Sequence, residues 1–375
     1  MISPVRAARP TPAAPPPALV APARLRTLEM RNRIWLAPMC QYMVETRDGV
    51  PTDWHLMHLG ARAAGGFGLL ITEATAVTPS GRISPQDVGI WNDEQVTAWR
   101  RITDFCHAQG AAMAVQLAHA GRKASTWPAL PQFASRRGSI PEFAGGWHPV
   151  GPTGEPFPGL EVPDALTVAQ IGELVEDFAA ATDRALAAGF DAIELHFAHG
   201  YLVHEFLSPL VNTRTDAYGG DAAGRHRLAL EITTAVRERW PGDRPLIVRL
   251  SATDWIDGGW DVQQSIALAR ELEQLGVDAL HISTGGAVSA DITAVPEYQV
   301  GFARALRDAV DVPVAAVGII TEPTAAQAIL DRGDADFIAV GRVALREPSW
   351  PQRAAHELGV RDASFYPGPY HRGMW

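Results

Sequence analysis

The chain has little cysteine, no surplus of basic residues and no long apolar run. Each scarcity removes a class of protein. Cys40 and Cys106 are the only cysteines among 375 residues. They cannot build a disulfide scaffold, a four-thiolate zinc site or an iron–sulfur cluster held by this chain alone. Such usage points to a reducing, cytoplasmic setting. Lysine and arginine total 32 against 42 aspartate and glutamate, a net charge of −10. That balance leaves no excess cation to release counterions from nucleic acid or to seek an anionic membrane. No stretch of eighteen or more apolar residues offers a transmembrane helix. The opening MISPVRAARPTPAAPPPALVAPA lacks the apolar centre of a signal peptide. Residues 1–22 read as a disordered Pro/Ala-rich leader, and 23–375 as one domain.

What is present is alternation. Eight short apolar runs recur: 33–40, 69–75, 111–119, 192–199, 246–254, 279–284, 313–318 and 337–342. They show little polar interleaving, as parallel strands covered on both faces do. Amphipathic stretches separate them. In one, Ile171, Leu174, Val175, Phe178 and Thr182 fall on a single helical face, opposite Glu173, Glu176 and Asp177. Thr167 with Gln170 makes a capping box, and Gly189 a stop. In another, Asp261 caps and Gly276 ends a helix striped by Ile266, Ala269, Leu272 and Leu275. Val96, Trp99, Ile102 and Cys106 form a further stripe, which makes Cys106 a core thiol. Eight strand–helix units predict a (β/α)8 TIM barrel. A doubly wound open sheet is the alternative, disfavoured because no G-x-G-x-x-G follows the first strand. Residues 122–166, rich in proline, glycine and aromatics, form an insertion after the third strand. That places a lid over the face where barrels do chemistry.

The strand ends carry the polar residues. Gly318 and Gly341-Arg342 end the seventh and eighth strands, where barrels commonly cradle phosphate; tight turns alone would also explain the glycines. His196 and His199 lie three apart, so an unbroken strand would aim them at opposite faces. A bend after residue 197, helped by Gly200, would let both meet Tyr201 at the barrel mouth. Converging imidazoles can donate two hydrogen bonds to one oxygen. They can also bind a metal, with His119 or His281 as third ligand, as in a metal-dependent barrel hydrolase. Arg249 inside an apolar strand needs a partner. That partner is either a neighbouring carboxylate, Glu73 or Glu194, or an electron-rich cofactor ring. Gln116 offers both amide donor and acceptor to the edge of a heterocycle. Together with a phosphate cradle, these groups describe a site for flavin mononucleotide (FMN).

The motifs NRIWLAPMCQY (32–42), EATAVTPSGRIS (73–84), QLAHAGRKA (116–124), HFAHGYLVHEFLSPLVNTRTDAYGG (196–220), VRLSATDW (248–255) and GRVALREPSWP (341–351) resemble those of the Old Yellow Enzyme family. This family comprises flavin-dependent ene-reductases, and the similarity is to its thermophilic-like bacterial branch. It spans 24–375. It implies noncovalent FMN in a (β/α)8 barrel, with NADPH or NADH reducing the flavin before an activated alkene takes the same site. By residue, the resemblance implies that Ala37, Pro38, Met39 and Cys40 lie along the flavin. Ala74 and Gln116 meet its edge, Arg249 its N1/O2 side, and Gly318, Gly341 and Arg342 its phosphate. His196 and His199 bind the substrate's oxygen, Tyr201 donates the proton, and Tyr42 is a second phenol near the substrate. The terminal YHRG (370–373) implies a homodimer or homotetramer in which Arg372 reaches a neighbouring site. The 125–165 stretch varies within the family, so substrate preference does not follow.

Overall fold

The computed structural model describes residues 16–375. Its strands are β1 (Ala23–Leu25), β2 (Leu28–Met30), β3 (Ile34–Leu36), β4 (Leu69–Ala76), β5 (Ala112–Ala118), β6 (Val150–Gly151), β7 (Asp164–Ala165), β8 (Ala192–Phe197), β9 (Leu246–Ser251), β10 (Ala279–Ser283), β11 (Val314–Ala316) and β12 (Phe337–Val340). Its helices are α1 (Asp53–Ala64), α2 (Asp93–Ala108), α3 (Val168–Ala187), α4 (Leu202–Leu207), α5 (Ala222–Arg239), α6 (Val262–Gln274), α7 (Val300–Arg307), α8 (Pro323–Asp331), α9 (Arg342–Arg346) and α10 (Trp350–Glu357). Strands β3, β4, β5, β8, β9, β10, β11 and β12 close into a barrel, every neighbouring pair parallel. The (β/α)8 barrel expected from the eight apolar runs is the observed fold. Except for β4, the strands are shorter than those runs, because the last residues of several runs leave the ladder and turn into the loops of the mouth.

Local chemistry sets the helix ends as the sequence suggests. Thr167 and Gln170 form a reciprocal capping box on α3, worth about 1 kcal/mol. Asp261 caps α6 through the Gln264 amide. Gly189 and Gly276 follow their helices with φ of 83° and 85°, a left-handed conformation that costs glycine nothing.

Two apolar layers hold the barrel. Outward-facing strand residues such as Leu70, Met113, Ile193 and Val248 pack against the helices. Inward-facing ones pack among Trp35, Leu69, Ile71, Ala112, Ala192, Ala279 and Phe337. The β1–β2 hairpin adds Leu25 and Met30 to that inner cluster. Trp35 stacks on Phe337 at 4.6 Å, and the alanines leave room for both rings.

Period-two alternation then decides what faces the axis higher up. Inward positions run Ala112–Ala114–Gln116, Ala192–Glu194–His196, Ile247–Arg249–Ser251 and Ala279–His281–Ser283. The interior is apolar at the base and polar toward the mouth.

The segment expected as a leader divides. Residues 1–15 lie outside the described residues, whereas Leu19 and Val20 are buried against the helices. Packed chain thus begins before the expected boundary at residue 22. Over 122–166 the chain makes short 3-10 turns and the paired β6 and β7. Trp127 stacks on Phe133 there at 5.8 Å.

Candidate active site

Two features meet at the C-terminal mouth. The first is the imidazole pair. Strand β8 ends at Phe197, and the chain reverses at His199 and Gly200, with φ of 61° and 67°. The bend therefore begins one residue earlier than glycine placement suggests, on a histidine. It brings the rings of His196 and His199 to 5.1 Å between centroids, and His196 and Tyr201 to 5.2 Å. His196 Nε2 and His199 Nδ1 lie 3.4 Å apart.

Hydrogen bonds tie the left-handed turn in place. The His199 amide donates to Ser251 Oγ at 2.9 Å, and the Gly200 amide to His204 Nδ1 at 2.9 Å. Lys123 Nζ donates to the carbonyls of His199 and Gly286, both at 2.8 Å. Those two carbonyls belong to loops in backbone contact, and an ammonium relieves their mutual repulsion. Lys123 also lies 5.3 Å over the Tyr201 ring. Burial lowers its pKa to about 8, with Glu205 opposing. The sequence reading passed over this residue. The signal was available: Lys123 is the only lysine of the chain.

Burial holds both histidines well below their ordinary pKa, and Arg249 pushes the same way. They are neutral at pH 7. Burial, then Cys40 and Asp87, raise Tyr201, so its phenol keeps its proton. Cys40 and Tyr42 are raised as well, first by burial. Cys40, Tyr42, Tyr201 and Trp147 pack on a common patch formed by Ala74, Ile83, Ala118, Ala120 and Ala124.

The second feature is a cavity of about 310 Å³ lined by Arg249, Ser283, Gln299, Gly318, Gly341, Arg342 and Arg346. A Cβ on Gly341 would meet Met39 Sδ at 3.4 Å and Ala37 Cβ at 3.9 Å. The loop after β3, carrying Ala37, Pro38, Met39 and Cys40, thus borders the end of β12. Gly318 has φ of 133°, closed to other side chains. Arg346, one turn beyond Arg342, is a second cation at this cavity that sequence reading did not single out.

Arg249 decides the character of the cavity. Its Nε is buried without an acceptor, and among the described residues it makes no ion pair. The carboxylates that might have neutralised it are committed elsewhere. Glu73 accepts from the Gln41 amide and faces His55 Nε2 at 3.3 Å. Glu194 accepts from Gln116 Nε2 at 2.6 Å and His281 Nδ1 at 2.8 Å. A buried guanidinium with no carboxylate in ion-pair contact, opening on a cavity with glycine loops and two further arginines, fits a phosphorylated, electron-accepting ring.

The matching family model, described as the NADH:flavin oxidoreductase / NADH oxidase family, covers residues 18–360. The chain belongs to this family. It is 45% identical over 337 residues to an NADPH dehydrogenase of Listeria monocytogenes, covering 90% of this chain and 94% of that one. It is 43% identical to an NADPH dehydrogenase of Halalkalibacterium halodurans, covering 90% and 93%. The Old Yellow Enzyme homologue from Zymomonas mobilis has a similar structure, with a TM-score of 0.77, 31% identity and coverage of 94% and 97%. Morphinone reductase in complex with tetrahydroNAD gives 0.75, 30% identity and coverage of 94% and 95%. As an NADH:flavin oxidoreductase, the protein is an FMN enzyme that takes electrons from a nicotinamide donor.

Two alternatives fall away. The metal reading required His119 or His281 as third ligand. His119 Nδ1 accepts from the Gly121 amide, and His281 is engaged by Glu194 at the barrel axis. Among the described residues no group of three His, Cys, Asp or Glu is placed to hold a metal ion. The ion pair of Arg249 with Glu73 or Glu194 is likewise absent, because other donors hold both carboxylates. Arg372 lies on the exposed turn Gly368–Gly373, whereas Arg249, Gly318, Gly341 and Arg342 line the cavity and His196, His199 and Tyr201 meet at the mouth. No helix among the described residues is long and apolar enough to cross a membrane.

Proposed function

We propose that this flavin oxidoreductase is an ene-reductase, saturating activated C=C bonds of α,β-unsaturated carbonyl compounds and related nitroalkenes and maleimides. NADPH or NADH supplies the electrons. The observation that carries the reading is the pair of neutral imidazoles, 3.4 Å apart, with a protonated phenol at their side and a flavin cavity adjoining. An alkene needs activation by an electron-withdrawing oxygen, and the facing nitrogens offer one point where that oxygen is met from both sides.

Bound FMN supplies the two-electron chemistry. The chain supplies the rest. His196 Nε2 and His199 Nδ1 donate to the substrate oxygen, on which negative charge grows as Cβ is reduced. Donors fixed beforehand favour that charge over the ground state, each by about 3 kcal/mol. Tyr201 gives its proton to Cα, a contribution of about 10² to 10⁴ in rate. Tyr42 borders the same pocket. Gln116, Ala74 and Arg249 meet the ring edge, Cys40 and its neighbours lie along the ring, and Gly318, Gly341 and Arg342 receive the phosphate. The exposed Arg372 reaches a neighbouring copy in a homodimer or homotetramer. Both cysteines are free thiols, which supports a reducing, cytoplasmic setting.

The test is spectroscopic. Purified protein should be yellow, bleach with NADPH without oxygen, and regain colour on adding cyclohexenone. Bleaching without recovery by any activated alkene would leave a dehydrogenase but remove the ene-reductase.

A further inference from the structure

One ionised group in the barrel belongs to neither the phosphate cradle nor the oxygen-binding pair. Glu194 is fully buried, one inward step below His196 on β8. One carboxylate oxygen accepts from Gln116 Nε2 at 2.6 Å, the other from His281 Nδ1 at 2.8 Å. The strand register sets Gln116 beside Glu194, and Arg249 beside both His196 and His281. Three strands thus deliver a donor or a cation to one carboxylate, in a place closed to water. Burial by itself would raise the pKa of this acid. His281, then Arg249 and Gln116, overcome burial and hold it below its ordinary value. Glu194 is an anion at neutral pH.

We propose that Glu194 is a positioning residue of the flavin site: it fixes which way the Gln116 amide faces, and its charge offsets Arg249, setting the cofactor's reduction potential lower than Arg249 alone would. The inference rests on Gln116 and Arg249 meeting the ring edge. A glutamine amide has one NH2 and one carbonyl. With the NH2 committed to a carboxylate that can only accept, the carbonyl oxygen is turned away from Glu194 and left for a ring N–H. An amide at position 194 could present either end, and the order would be lost. The charge acts separately. Reduction adds negative charge to the ring, which Arg249 favours. A second fixed anion close by, in low dielectric, cancels part of that attraction.

The test compares the FMN-loaded wild type with E194Q and E194D, reading the midpoint potential and the affinity for sulfite, a probe that leaves negative charge on the flavin. E194Q should raise the potential and tighten sulfite binding about tenfold, equal to about 1.4 kcal/mol. E194D, which keeps the charge, should return both toward the wild type. An E194Q protein that holds FMN with potential and sulfite affinity unchanged overturns the proposal. Should E194Q not fold, His281→Leu serves. It removes one donor, so Glu194 should take up a proton more readily. The groups facing Glu194 are then Arg249, His196 and Gln116, and the histidine stays neutral. The potential should rise at acid pH and rejoin the wild type at alkaline pH; a curve parallel to the wild type's overturns the proposal. If wild-type protein fails to take up FMN, the site reading itself fails, a separate outcome.

Discussion

His196 Nε2 and His199 Nδ1 face each other across 3.4 Å, although an extended strand would send them to opposite sides. The left-handed turn at His199 makes them converge. A neutral imidazole has one N–H, so the two cannot both donate forward unless His199 is protonated at Nδ1. Its Nε2 must then accept, and the Ser283 hydroxyl, 2.8 Å away, donates there only when it turns from Gln299 Oε1, 2.9 Å off.

Ser283→Ala should therefore weaken binding of phenols, which mimic the substrate oxygen, by about 1 kcal/mol. Nitrogen NMR of the labelled histidine should show His199 moving toward the Nε2–H tautomer. Unchanged affinity and tautomer would assign Ser283 to the cofactor alone. Because burial and Arg249 hold both pKa values down, phenol affinity should show no histidine step near pH 6.5. By linkage, a histidine protonated only when unfolded costs stability as pH falls below 6.5. Denaturation midpoints should drop in that direction.

Tyr201→Phe removes the proton but keeps the ring. Alkene reduction should slow by about 10² to 10⁴, with the NADPH half-reaction unaffected. Stopped-flow measurement of each half-reaction separates the two. Equal loss in both would remove Tyr201 as the acid.

Gly200→Ala tests the turn. The left-handed conformation costs a non-glycine residue about 1–2 kcal/mol. The added Cβ would also sit 1.9 Å from the Gly286 carbonyl oxygen, so the loops must part. The variant should lose phenol binding while FMN stays bound, since the phosphate cradle comes from other strands. Unaltered phenol affinity would show that the loop contact does not matter.

Cys40 should be a slow nucleophile. Burial, then Asp87 and Glu73, raise its pKa well above that of a free thiol, so little thiolate exists at neutral pH. Iodoacetamide labelling followed by mass spectrometry should find it nearly unmodified at pH 7 in holoenzyme. Rapid labelling would mean that a positive field outweighs burial there.

The sequence by itself determined the architecture. Eight apolar runs of strand length, separated by capped amphipathic helices and without a G-x-G-x-x-G after the first, favour a closed parallel barrel over a doubly wound sheet. It also determined the mouth's polar inventory, because period-two alternation places Gln116, His196 and Arg249 inward and late in their strands. Only the tertiary structure decided the pairings. That Glu194 takes its hydrogen bonds from Gln116 and His281, and not from Arg249, depends on which strands are neighbours and in which register. That Lys123 ties His199 to Gly286 depends on two loops far apart in sequence meeting over the barrel. Periodicity is local, whereas charge compensation depends on distance in space, and distance is set only once the barrel closes.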